Sequence, residues 1–339
     1  MTTAGSARRT AARHAAGAAA ADPRVTGAFL TGSVLAAADG DVLGPGSDVD
    51  VVLVVDAARA PRGPGKSRVD GVLLDVSCLR AADLADVAAV RRTHWLAPSF
   101  AGPEPLLDPA GALARVRAAV APTFADPPDV LARCEDVLRR SRSRLDAVIG
   151  AGTAGGASTA EQVLSWVFPA SLLTQVPLVA ALEPPTVRRR YAAAGAVLRR
   201  RGHADLAERL LDDLGCADVG AGSVREALAV VRGALQRVRT PVPREFAFAA
   251  DLEPDAHPVV LEGTAGLLAA GLHREAVFWL VVTAARLQQV SGGPERWFRD
   301  LLAELTGIGA PADVVARARR ALRTAERVER VGAALVRQR

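Results

Sequence analysis

The segment 26–55, TGAFLTGSVLAAADGDVLGPGSDVDVVLVV, constrains this chain more than any other. A β-branched, apolar run over 25–31 leads into it and stops at Gly32-Ser33. After a spacer with the turn signal Gly44-Pro45-Gly46, Ser47 leads into Asp48-Val49-Asp50, and a second apolar run follows over 51–55. Both apolar runs read as strands. Side chains alternate along a strand, so Asp48 and Asp50 point to one face. Two carboxylates held side by side at the mouth of a buried strand repel each other unless a cation joins them. The segment therefore demands a sheet with a charged end, and it excludes an all-helical fold.

The residue types suit anion and cation binding together. Gly32 lacks a Cβ and lets backbone come close to a ligand. Residues 34–38 read as a short helix with Ser33 near its N-terminus, where unpaired N–H groups favour a phosphate. Gly32, Ser33 and Ser47 are the candidate nucleotide-binding residues. Magnesium takes oxygen ligands and often combines one or two carboxylates with substrate phosphates. A metal pair can stabilise both the attacking and the leaving oxygen of a transfer. A third carboxylate is then wanted, and Asp75 supplies it from inside the apolar run 72–77, where it would be costly if buried alone. Asp70 competes, but it sits beside Gly71 in a turn. Asp48, Asp50 and Asp75 are the candidate catalytic residues and metal ligands, for two Mg2+ ions.

A Gly-Ser, a spacer, an Asp-x-Asp and a later strand Asp resemble the signature of the DNA polymerase β-like nucleotidyltransferase superfamily, and most closely its aminoglycoside and small-molecule branch. The resemblance covers about the first hundred residues. It implies a twisted mixed sheet flanked by helices and transfer of a nucleotide from an NTP, with ATP as the expected donor and pyrophosphate as the leaving group. Carried over, Gly32 and Ser33 correspond to the phosphate-binding pair, Asp48 and Asp50 to the metal ligands, and Asp75 to the third carboxylate. Two departures stand out. The spacer 34–47 is at or above the long end of the usual range. Leu35-Ala36-Ala37-Ala38 stands where many small-molecule members carry Arg-Gly, which bears on triphosphate binding and not on the metal site.

Composition narrows the partners. The chain has 339 residues and a formal charge of +5, with 4% aromatic residues. Its Arg residues are interspersed with Asp and Glu on helices, unlike the concentrated basic patch of a nucleic-acid binder, so no nucleic-acid partner is expected. Cys78, Cys134 and Cys216 have neither metal nor disulfide spacing, and a reducing cytoplasm is inferred. No secretion signal and no run of membrane-spanning length is expected. Lys66 is the only lysine. It falls in the Gly/Pro-rich segment 57–66, read as a flexible hairpin or loop from which it could touch phosphate.

The fold class expected is α+β, with a mixed-sheet nucleotidyltransferase domain over 1–125 and an all-helical bundle over 126–339 for acceptor binding or interdomain support. Strands are expected at 25–31, 50–55 and 69–77, and a helix at 81–93. From 131 onward the periodicity is helical, with helices at 130–149, 159–181, 186–200, 204–214, 223–238, 259–270, 273–289, 294–305 and 312–336. This architecture resembles the antibiotic-modifying branch, which implies that the helical part helps bind the acceptor and can supply a carboxylate base within hydrogen-bond reach of its hydroxyl. Glu253 and Glu262, in DLEPDAHPVVLEG, are the candidates. The alternative is that these acids decorate a helix N-terminus. The basic run Arg188-Arg189-Arg190 either reaches the triphosphate or forms a solvated or interdomain face. Trp279 reads as core. The acceptor expected is a small-molecule hydroxyl, such as that of an aminoglycoside. A protein acceptor, as in toxin–antitoxin nucleotidyltransferases, and a non-catalytic nucleotide sensor are the alternatives.

Overall fold

The computed structural model describes residues 4–38, 40, 41, 44, 46–152, 156–238, 241–243, 245–292 and 295–339. Asp39, Pro45 and Pro294, which the sequence places in turns or at a helix start, lie outside them. The chain is α+β: a four-stranded mixed sheet comes first and a helical region follows. It divides into two compact units, Met1–Arg133 with Leu182–Thr186, and Cys134–Ala181 with Val187–Arg339.

In the first unit, β1 (Val25–Thr31) and β2 (Val49–Val55) pair antiparallel, β2 pairs parallel with β4 (Val72–Arg80), and β3 (Gly65–Val69) pairs antiparallel with β4. The order is β1-β2-β4-β3. The apolar strands bury both faces by simple alternation. On one face Val49, Val51, Leu53, Leu30, Leu74 and Val76 meet Ala11, Ala12 and Ala16 of helix α1 (Ala4–Ala19). Alanines there let the helix lie close to the sheet. On the other face Phe29, Val52 and Val54 pack under the short helices α2 (Val87–Arg92), α3 (Ala97–Ala101) and α4 (Ala112–Val120). Phe29 meets Phe100 with ring centroids 4.9 Å apart. Each such apolar side chain contributes roughly 1.5–3 kcal/mol on burial. Leu107 bridges Ala28 along β1, where the Ala28 N–H donates to the Leu107 carbonyl at 2.9 Å. This contact covers part of an otherwise open sheet edge.

Several local expectations are corrected. Residues 65–69, split between a loop and the start of a strand on paper, form β3 in full. Asp70-Gly71 makes the hairpin turn to β4, with φ of 50° and 76°, as a two-residue Asp-Gly turn requires. The helix expected over 81–93 is broken. A 3-10 turn spans Ala81–Leu84, and α2 starts only after Asp86, whose carboxylate caps it by accepting from the Ala89 N–H at 3.1 Å. A short helix, α3, lies in the Pro-rich stretch 95–109 that follows.

The second unit takes in most of α5 (Pro127–Ala151), followed by α6 (Thr159–Leu172), α7 (Gln175–Ala180), α8 (Arg190–Arg200), α9 (Ala204–Leu214), α10 (Ala221–Arg237), α11 (His257–Ala269), α12 (His273–Ser291), α13 (Arg296–Thr306) and α14 (Pro311–Arg337). The division between the units falls inside α5. α12 is the central helix, buried on all sides from Glu275 to Gln288 and packed by α6, α10 and α11. Trp279 belongs to this core. The expected helix 159–181 is two helices, α6 and α7. Contrary to the expectation of no membrane-length run, Thr159–Ala180 is long and apolar enough to span a bilayer. However, 72% of its apolar window is buried within the unit, so α6 and α7 serve as core helices here.

Candidate functional site

The sheet register builds one row of side chains across all four strands. Thr31 stands opposite Asp50, Asp50 opposite Asp75, and Asp75 opposite Lys66. Residues paired in this way project from the same face. Asp48 precedes β2 by one residue and shares the parity of Asp50. The outcome is a compact carboxylate cluster: one oxygen from each of Asp48, Asp50 and Asp75 lies within 4.8 Å of the others.

Gly32 closes one side of this cluster. Its φ is +73°, and a Cβ built on it would lie 2.1 Å from Asp50 Oδ2. The carboxylate thus occupies the space a side chain would fill. The expected helix after Gly32-Ser33 is a 3-10 turn, Gly32–Ala36. So short a turn develops little macrodipole. What it offers an anion is the Ser33 hydroxyl, which is exposed, and local N–H groups. Ser47 is half-buried beside Asp48.

Lys66 is the main correction. It lies on β3, and its Nζ donates to Asp48 Oδ2 and to Asp75 Oδ2, each at 2.5 Å, with the lysine side chain only 5% exposed. The ammonium is therefore embedded in the acidic cluster. Arg8 was also missed as a site residue. From α1 it donates to the carbonyls of Gly44 and Ser47, each at 3.4 Å, while Arg9 donates to the Ala37 carbonyl at 3.0 Å. The helix thereby anchors the spacer near both ends. Burial pushes the Arg8 guanidinium below its usual pKa, and the nearby Asp48 charge acts against that shift. The signal available in the sequence was an Arg pair on an otherwise Ala-rich helix.

The three-oxygen donor set fits a hard divalent cation such as Mg2+. Lys66, held by two of the same carboxylates, marks where positive charge is accommodated.

The remaining candidates belong to the helical unit. Glu253 is half-buried and accepts from the Val242 N–H at 2.6 Å, an anchoring role for the segment before α11. Glu262 is exposed on α11. The basic run does not behave as one surface. Arg190 is buried, donates to Ser171 Oγ at 2.6 Å and the Val187 carbonyl at 2.8 Å, and lies 4.8 Å from the Phe278 ring centroid. Burial pushes its guanidinium down to about 10. It is a core cation, and the solvated or phosphate-reaching role expected of it is overturned. The unit also contains a cavity of about 840 Å³, with Leu164, Phe168, Phe248 and Val315 in its walls. Glu161 is the only carboxylate among its described lining residues, so the walls suit an apolar ligand better than a polycation.

No family model matches the chain, and no curated protein matches it either.

Proposed function

We propose that this protein is a Mg2+-dependent nucleotidyltransferase that moves NMP, with ATP as the expected donor, onto a hydroxyl of a small molecule and releases pyrophosphate. The observation that carries the reading is the carboxylate cluster of Asp48, Asp50 and Asp75, placed against Gly32-Ser33 at one end of a mixed sheet. The sequence resemblance to the DNA polymerase β-like superfamily rests on these same residues.

In this reading Asp48, Asp50 and Asp75 hold the divalent ions. When bound, the ions neutralise phosphate charge and polarise the attacking and leaving oxygens. The chain's own contribution is positioning. Gly32 leaves room for the Asp50 carboxylate, so the cluster stays tight without a side chain between the turn and β2. Ser33 presents its hydroxyl outward to hydrogen-bond a phosphate oxygen. Arg8 and Arg9 fix the spacer so that Ser47 and Asp48 keep their place beside Asp50. Cys78, Cys134 and Cys216 are not joined in disulfides, which suits a reducing compartment, and we assign the activity to the cytoplasm.

The test is Mg2+-dependent pyrophosphate release with each of the four NTPs, against a panel of hydroxyl acceptors that includes aminoglycosides and less charged sugar-bearing compounds. An Asp48→Ala/Asp50→Ala variant serves as the control. Release that requires both an NTP and one acceptor, and is lost in the control, supports the transferase. Nucleotide binding with no release against any acceptor overturns the small-molecule transferase in favour of a protein acceptor or a sensor.

A further inference from the structure

We propose that Lys66 is a displaceable stand-in for the divalent cation, one that makes metal binding depend on the triphosphate. The inference rests on the metal-site reading above. Its ground is the position of one ammonium group: Lys66 Nζ lies 2.5 Å from both Asp48 Oδ2 and Asp75 Oδ2. Magnesium binds carboxylate oxygens at about 2.0–2.1 Å. An ion joining those same two oxygens would claim the volume the ammonium fills. The two cations therefore compete, and loading the site moves Lys66 aside.

The choice of residue supports this. Of 42 Lys and Arg residues, Lys66 is the single lysine. An ammonium is a compact point charge with three rotatable donors on a flexible stem, whereas a guanidinium is a planar fork with fixed geometry. The compact head can fill the volume a metal ion would take between two carboxylates and then leave by rotating its stem. Its position allows that movement. β3 is an edge strand, and residues 56–64 before it carry no regular secondary structure.

The consequence is coupling. Without nucleotide, a metal ion must draw the ammonium away from two carboxylates at once. With a triphosphate present, the displaced ammonium gains anionic oxygens, so metal and triphosphate each strengthen the other's binding, by the same factor for both. An inward-pointing lysine that merely blunts a sheet edge adds nothing to the coupling that shared phosphate ligation already gives.

The test is binding of Mn2+ to the full chain, read by the electron paramagnetic resonance of free Mn2+, with and without α,β-methylene-ATP as a non-transferable probe. Lys66→Met should raise nucleotide-free Mn2+ affinity by about tenfold and, against a protein-free control with probe and Mn2+, lower the gain on adding the probe by about the same factor. Equal or weaker Mn2+ binding by Lys66→Met, with Mn2+ still binding the wild type, overturns the role of Lys66 and leaves the metal site standing. No Mn2+ binding by either protein overturns both. Should Lys66→Met fail to fold, the wild type decides the matter, because its single lysine can be followed by acetylation and peptide mass spectrometry. Mn2+ alone should speed Lys66 acetylation several-fold, and an unchanged or slower rate overturns the proposal.

Discussion

Gly32 and Asp50 touch across the β1–β2 edge: a Cβ on Gly32 would stand 2.1 Å from Asp50 Oδ2. Gly32 is thus required twice, by its φ of +73° and by the carboxylate packed against it. The Gly of the Gly-Ser pair shapes the acidic cluster directly, as well as opening the backbone to a ligand.

Gly32→Ala should therefore hurt both stability and metal binding. A non-Gly residue in the left-handed region costs roughly 1–2 kcal/mol, and the new methyl must push Asp50 away. The expected outcome is a lower Tm and at least a tenfold or so loss of Mn2+ affinity, as for disturbed supports of metal ligands. Unchanged Mn2+ binding would sink the structural claim about Asp50.

Asp50→Asn separates metal binding from folding. In the wild type, Mg2+ with an NTP at about 100 times Kd should stabilise the fold by about 2.7 kcal/mol, visible as a rise in Tm. The variant should keep a wild-type Tm without ligands, show no such rise, and lose pyrophosphate release by about a hundredfold or more. A full ligand-induced rise in Asp50→Asn would remove Asp50 from the ligand set.

Parts of this architecture were readable in advance for identifiable reasons. β1 matches the expected 25–31 because an apolar, β-branched run is bounded there by Pro23 and Gly32, and β2 differs from expectation by one residue. The three carboxylates were legible because an Asp in an apolar strand needs a partner. Lys66 was not, because Gly65-Lys66-Ser67-Arg68-Val69 is a polar edge strand whose signal comes only from its pairing with β4. Arg190 sat in a basic triplet that reads as solvated, while Ser171 and Phe278, which bury it, are remote in sequence. Both misses turn on tertiary partners, which local periodicity does not encode.

Glu253 offers a direct contrast between anchoring and catalysis. Its Oε1 accepts from the Val242 N–H at 2.6 Å, so Glu253→Ala should leave that N–H short of a partner and cost about 1–3 kcal/mol. Glu253→Gln keeps an acceptor oxygen and should recover most of the lost Tm with turnover intact. A Glu253→Gln protein with a normal Tm but no turnover would instead make Glu253 the general base.

Asp213 gives the helical unit a pH dependence of its own. It is 3% exposed and receives Arg320 Nε at 3.0 Å and Arg209 Nε at 3.3 Å. Burial nevertheless raises its pKa to about 6, against the opposing pull of a Thr324 hydrogen bond and the charges of Arg209, Arg317 and Arg323. Because the folded value exceeds the unfolded one, the native state holds this proton more tightly. The stability from this group is therefore full below about pH 4 and is lost as pH rises to about 6, with a slope of up to about 1.4 kcal/mol per pH unit. Tm measured across that window should fall more steeply with pH in the wild type than in Asp213→Asn, which has no proton to lose. Parallel curves would mean that the arginines keep Asp213 ionised throughout, and that their charge outweighs burial at this site.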